Sequence, residues 1–327
     1  MKSKNKKICI IFAGGTMLSE KDPLAVHQAS DINGWLKKMP EIEIMAEIEP
    51  VFLIGEGHQT SGKEFWQKIN NLIQSRYDDF MGFIVINRVS DILFNALAAT
   101  FAFNHLNKPV IFTGSQLPIV DKSLIDIKRK SFGGLGIKAN LINAVQIATM
   151  DFPVVGLMFG NAFLRATKAV RSAIYSLNIF TSADNKYLAK IDFGISPQTK
   201  LNRPEKNPEF VNDFEDKVLY VKYQPGLTFE DYKETAGKVK GLVIESLPVE
   251  PFSEEFKNEL DRIKIPVVVY NKYYVPDLAI DNVITVRQMT KETALVKFMW
   301  ALGQTDDIKK IRVIMNQDYA GEFIKDS

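Results

Sequence analysis

The first residues that could do chemistry lie in a glycine turn behind an apolar run. The stretch ICIIFAGGTMLSE, residues 8–20, places Thr16 directly after Gly14 and Gly15. Two glycines permit a turn that a side chain would obstruct, and they let a ligand approach the backbone closely. A threonine hydroxyl becomes a useful nucleophile only when a neighbouring base activates it. Thr16 is therefore either a nucleophile or simply the residue after a tight turn.

The composition excludes several classes of protein. At 327 residues the chain is long enough for two domains, because single cores stop growing near about 250 to 300 residues. Hydrophobic residues make up 46% and charged residues 24%, which argues against a disordered or fibrous chain. The formal net charge is only +2, too small to suggest binding to nucleic acid or an anionic membrane. We therefore expect small-molecule or protein partners.

The residues that usually bind metals are few and badly spaced. Cys9 is the single cysteine, so no intrachain disulfide or thiolate metal site is expected. The histidines at 27, 58 and 105 share no metal-ligand spacing, which predicts no metal site. The apolar run behind the basic start MKSKNKK is too short for a secretory signal, and no run approaches the roughly 20 residues of a membrane span. A cytoplasmic location is the default expectation.

Apolar runs and helical patterns alternate along the first two thirds of the chain. This alternation predicts an α/β fold with a large doubly wound domain, whose sheet is mostly parallel, and a smaller α/β domain. We expect the first domain over residues 1–195, a proline-containing linker over 196–216, and the second domain over 217–327. Ligands of open α/β sheets bind beyond the carboxyl ends of the strands. Chemistry should therefore lie in the loops 14–19, 55–61 and 87–91.

Several motifs in order resemble the asparaginase family. They are AGGTM, KPVIFTGSQLP, NLINA, MTKETALVKFMWALG and AGE, and they extend from near residue 8 to near residue 322. The resemblance is to the cytosolic bacterial type and to the asparaginase-like subunit of archaeal glutamyl-tRNA amidotransferase. It implies hydrolysis of the side-chain amide of asparagine without a metal or cofactor. It also implies dimers or tetramers, a nucleophilic threonine with a nearby tyrosine, and a second group of threonine, lysine and aspartate.

The first of these positions matches the family, and the second motif departs from it. Thr16 falls on the nucleophile, behind Gly15. Where the family has His-Gly-Thr-Asp-Thr, an ungapped register gives residues 87–91, in which Val89 has no hydroxyl and Ser90 no charge. A shift of one residue would instead place Ser90 and Asp91 on the Thr-Asp pair. We favour the simpler interpretation that both are N-caps of the following helix.

The remaining family positions also differ. The ungapped register places Arg171 where the family has its lysine, and an arginine stays protonated and cannot accept a proton. Lys168 could serve if the loop were rearranged, but we expect it to be a solvated surface lysine. Counting back from Trp66 leaves His58 and Gln59 in the loop that the resemblance implies for substrate binding. Gln59 matches one branch of the family, whereas His58 replaces a small hydroxyl residue. No tyrosine lies between Thr16 and the first predicted helix.

The sequence thus predicts an asparaginase-fold protein with lost or altered catalysis and a ligand-binding or subunit role. The expected ligand is a small amide or amino-acid-like molecule, and the expected assembly is a homo-oligomer or a complex with a paralogue. An active L-asparaginase is one alternative. A subunit of a tRNA-dependent amidotransferase is another, although the balanced charge and the start at the first strand disfavour it.

Overall fold

The computed structural model describes residues 6–14, 26–54, 61–115, 137–172, 178–224, 226–246 and 253–324. The chain divides into two compact units, residues 1–210 and 211–327. The boundary lies within the segment 196–216 that the sequence predicts as a linker. Part of that segment is folded with the first unit, as strand residues at 195–197 and 209–210.

The first unit contains twelve strands among the described residues. They are β1 (Lys7–Ala13), β2 (Glu47–Ile54), β3 (Gly82–Ile86), β4 (Phe103–Asn104), β5 (Val110–Thr113), β6 (Val155–Phe159), β7 (Ala162–Arg165), β8 (Ala169–Arg171), β9 (Phe180–Ser182), β10 (Ala189–Ile191), β11 (Ile195–Pro197) and β12 (Glu209–Phe210). Eight of them form one sheet in the order β11-β10-β7-β6-β5-β3-β1-β2. The pairs from β2 to β6 are parallel, and those from β6 to β11 are antiparallel.

The helices in the described part of this unit are α1 (Asp31–Leu36), α2 (Pro40–Met45), α3 (Lys63–Ser75), α4 (Ile92–Ala102) and α5 (Ile137–Ala148). Side chains of α1, α2 and α5 share one apolar cluster with β1, β3 and β5. Ten of the eleven residues of α4 are buried, as expected for a helix that is apolar on all sides. The predicted α/β class with a largely parallel sheet is confirmed. Among the described residues, no helix is long and apolar enough to cross a membrane.

The second unit is a four-stranded parallel sheet in the order β13-β14-β15-β16. Its strands are β13 (Val218–Lys222), β14 (Gly241–Glu245), β15 (Val267–Tyr270) and β16 (Val283–Val286). The helices among its described residues are α6 (Lys233–Ala236), α7 (Glu254–Arg262), α8 (Lys291–Gln304) and α9 (Ile308–Asn316). Successive side chains along each strand belong to two different apolar clusters, one on each face of the sheet. Both faces of the sheet are therefore covered.

A buried ion pair joins α8 to the end of the second unit. Lys297 Nζ lies 2.6 Å from Glu322 Oε1, and neither side chain is exposed. The ammonium also donates to the carbonyls of Met315 and Gln317, while the carboxylate accepts from the N–H of Ala320. Burial lowers the pKa of Lys297 and raises the pKa of Glu322, and their mutual attraction opposes both effects. The two charges therefore depend on each other.

We predict that Glu322→Gln lowers the free energy of unfolding of the second unit by about 3 to 5 kcal/mol, because the ammonium stays buried without its counter-charge. Urea unfolding followed by circular dichroism would measure the loss. Glu254→Gln is the matched control, since the carboxylate of Glu254 pairs with Lys257 on the surface of α7. Equal effects of the two substitutions would contradict the prediction.

Candidate functional site

The strand ends that lead into the predicted site loops lie side by side. Gly14 follows β1 with a φ of 102°, in the region that favours glycine. Its N–H donates to the carbonyl of Ile54, the last residue of β2, at 3.0 Å. The loops that contain Gly15, Thr16, His58 and Gln59 therefore start from adjacent points. These four residues lie outside the described residues, and their roles remain predictions.

Buried amides connect the ends of β1 and β3 to two helices. Asn87, directly after β3, donates from Nδ2 to the carbonyl of Ala13 and accepts at Oδ1 from Asn95 Nδ2 on α4. The indole N–H of Trp66 on α3 donates to Asn95 Oδ1 at 2.8 Å. Asn87, Asn95 and Trp66 are each at most 4% exposed. We call these three side chains the amide network, and it fixes the backbone three residues before Thr16.

We predict that Asn95→Leu lowers the free energy of unfolding of the first unit by about 2 to 5 kcal/mol, because it removes the acceptor for Trp66 and the donor to Asn87 in a buried region. Denaturation of the purified variant would give the size of the effect, and tryptophan fluorescence would report the altered surroundings of Trp66. Asn202→Leu is the control, because Asn202 is exposed. A loss no larger than that of the control would show that the amide network contributes little.

The turn between β3 and α4 contains the residues of the second motif. The N–H groups of Asp91 and Ile92 both donate to the carbonyl of Arg88. Asp91 occupies the N-cap position of α4, yet its side chain makes no capping hydrogen bond, and Ser90 is exposed. Asp91 therefore takes the expected N-cap position, but the expectation that its side chain caps the helix is wrong.

Arg171 lies against the same turn. Its guanidinium Nη2 donates to the carbonyls of Val89, at 2.7 Å, and of Ser90, at 3.3 Å. The guanidinium carbon also lies 5.7 Å from the centre of the Phe180 ring. Arg171 is the last residue of β8, and β8 pairs with β9. The structure thus brings Ser90, Asp91 and Arg171 to one place at the carboxyl end of β3.

Lys168 is buried, so the expectation of a solvated surface lysine is wrong. Its residue is 7% exposed, and Nζ lies 3.8 Å from Asp184 Oδ2. Ser182 Oγ donates to the other oxygen of the same carboxylate at 2.6 Å. Asp184 reaches Lys168 because β8 and β9 pair antiparallel, with Ala169 opposite Ser182. Sequence reasoning missed Asp184, since a partner sixteen residues away leaves no local pattern.

Other chemistry finds no support in the described residues. Cys9 is fully buried in β1, and burial raises the pKa of its thiol to about 12, which keeps it protonated near neutral pH. No group of three or more His, Cys, Asp or Glu side chains in the described ranges could hold a metal ion. The candidate site is therefore the set of loops that start at the carboxyl ends of β1, β2 and β3, and Arg171 of β8 contacts the last of them.

The α/β fold and the sequence motifs together indicate an asparaginase-type protein. A family model described as "Asparaginase, N-terminal" matches residues 7–205, more than half of the chain. The chain belongs to the asparaginase family, and the family expected from the motifs is confirmed.

Relatives that align with nearly the whole of this chain support the same family. The chain is 25% identical over 337 residues to an L-asparaginase from Thermococcus kodakarensis, covering 97% of this chain and 99% of that one. It is 25% identical over 350 residues to L-asparaginase 1 from Escherichia coli K12, covering 99% of each. It is 27% identical over 349 residues to one of the subunits of a glutamyl-tRNA(Gln) amidotransferase from Thermococcus kodakarensis, covering 97% of this chain and 76% of that one. The solved structure of the thermostable L-asparaginase from Thermococcus kodakarensis matches with a TM-score of 0.80 at 25% identity, covering 98% of this chain and 100% of that one.

Proposed function

We propose that this chain is an asparaginase-fold protein in which asparagine hydrolysis is lost or altered and the cleft keeps a ligand-binding role. The observation that supports this most is the turn after β3. Where the resemblance implies a threonine and an aspartate, the turn has Val89 and Ser90, and Arg171 binds their main-chain carbonyls. Val89 has no hydroxyl to relay a proton, and Ser90 has no charge to bind an ammonium group.

The size of the expected defect follows from what such groups contribute. A positioned acid or base typically supplies about 100-fold to 10,000-fold in rate, and groups that act together are not additive. Loss of one member can therefore remove most of their joint effect. Thr16 without a partner to accept its proton would be a poor nucleophile.

We expect the purified chain to release ammonia from L-asparagine with a kcat/KM about 10,000-fold or more below that of an active relative, because the second motif lacks its proton relay. The L-asparaginase from Thermococcus kodakarensis, assayed alongside, is the reference. Thr16→Ala should change the small residual rate little. A rate close to the reference that Thr16→Ala abolishes would overturn the proposal.

A second candidate is a working amidohydrolase that uses Lys168. The burial of Lys168 beside Asp184 favours it, because a lysine held in place and shielded from water can take part in proton transfer. In this candidate the neutral amine of Lys168, oriented by Asp184, accepts the hydroxyl proton as Thr16 attacks the amide carbon. The protonated lysine returns that proton to the departing ammonia, and water then hydrolyses the ester on Thr16.

This second candidate predicts that Lys168→Met abolishes ammonia release from L-asparagine, because the acceptor of the proton is gone. Lys200→Met is the control, since Lys200 is exposed in the first unit. A steady-state ammonia assay of both variants distinguishes the two candidates. Activity that survives Lys168→Met at the level of the control would exclude Lys168 as the base.

A subunit role is supported by the relatives that are named as subunits of an amidotransferase. Under this proposal the chain assembles with itself or with a paralogue in the cytoplasm. Light scattering of the purified chain would measure its mass in solution. A mass equal to one chain would contradict self-assembly. Salt-dependent binding of tRNA would favour the amidotransferase role instead.

A further inference from the structure

We propose that the turn after β3 binds a small dicarboxylate anion through Arg88 and Arg171. The inference rests on the proposed function, because it names the class of ligand for the same site. The expected size is that of a four-carbon chain with a carboxylate at each end and no amino group. Asparagine has the same four-carbon chain, but its amino group is positively charged and its side-chain end is neutral.

Arg88 is a half-buried cation that makes no ion pair with any residue in the described part of the chain. Its main-chain carbonyl closes the turn by accepting from Asp91 and Ile92. Within the described ranges its guanidinium has no hydrogen-bond or ion-pair partner. Other arginines of the first unit are paired, Arg76 with Glu49 and Arg203 with Asp151. A partly buried charge that lacks a partner is costly, so an anion that enters this turn gains by supplying one.

Arg171 adds a second cation that is already held in position. Two main-chain carbonyls of the turn accept from its Nη2, and the ring of Phe180 lies beside the guanidinium. Among the described residues no carboxylate lies within ion-pair distance of it. The guanidinium is planar and presents several N–H groups in a fixed fork, which suits a carboxylate. The carbonyl of Val89 that accepts from Arg171 belongs to the residue next to Arg88 in the chain.

The charge balance of the turn favours an anion over an amino acid. Asp91 is the one carboxylate of residues 87–91, and the two arginine charges outweigh it, so the turn keeps a net positive charge. Ser90 is neutral and exposed, so it offers no charge to a ligand ammonium group. A zwitterion such as asparagine would bring a positive group to a positive turn, whereas a dicarboxylate brings one negative group for each arginine.

Calorimetric titration with succinate tests the inference, and succinamide serves as the neutral ligand of the same length. We expect succinate to bind and succinamide not to bind. Arg88→Gln and Arg171→Gln should each weaken succinate binding about tenfold or more, because each removes charged hydrogen bonds to the ligand. Arg203→Gln, which removes an exposed arginine of the same unit, should bind succinate as the original chain does.

The outcomes separate this inference from the proposed function. Ammonia release from L-asparagine, measured on the same samples, tests the proposed function alone. Absence of succinate binding, equal binding of succinamide, stronger binding of L-asparagine or inorganic phosphate than of succinate, or unchanged binding in both arginine variants would overturn the dicarboxylate inference. Should Arg88→Gln fail to fold, Arg88→Lys replaces it. That variant keeps the charge but loses the planar fork, so it should bind succinate more weakly than the original chain.

Discussion

The hydrogen bond from Asn87 to the carbonyl of Ala13 connects the strand ends from which the candidate site loops start. It joins the ends of two neighbouring strands, and Asn95 and Trp66 complete it from two helices. Buried amides must find partners, so the position of each of these groups depends on the others. The end of the neighbouring strand β5 packs closely against Asn87. A Cβ at Gly114 would lie only 2.3 Å from the carbonyl oxygen of Asn87, so a side chain there would clash. The carboxyl edge of the sheet is thus held by buried side-chain hydrogen bonds and by one close main-chain contact.

A second buried asparagine repeats this arrangement further along the sheet. Asn140, at the start of the motif NLINA, donates to the carbonyl of Gly114 after β5 and accepts from the N–H of Gly160 after β6. A residue that supports the family resemblance therefore serves here as a bridge between strand ends. The consequence is a rigid edge on which the loops can change without loss of the fold.

Much of the fold could be predicted because it follows from local patterns. The apolar run of β1 predicts a strand buried on both faces, and the helical spacing around Trp66 predicts α3. The contacts of the candidate site could not be predicted in the same way, because they join residues that are distant in sequence. Nothing near Lys168 indicates that it is buried, since its partner Asp184 arrives through the pairing of β8 with β9. In the sequence Asn95 is an ordinary polar residue on an apolar helix, and only the structure shows that it binds Asn87 and Trp66.

The pair of Lys168 and Asp184 places a negative charge beside a buried lysine from outside the second motif. A buried ammonium needs a negative partner, and removal of that partner is strongly destabilising. The resemblance implies an aspartate in the second motif, and Ser90 takes that place under the ungapped register. Here the negative partner comes from the turn after β9, where Ser182 holds one oxygen of Asp184 and the other lies 3.8 Å from the lysine. Asp184 therefore supplies a negative charge beside Lys168 from outside residues 87–91.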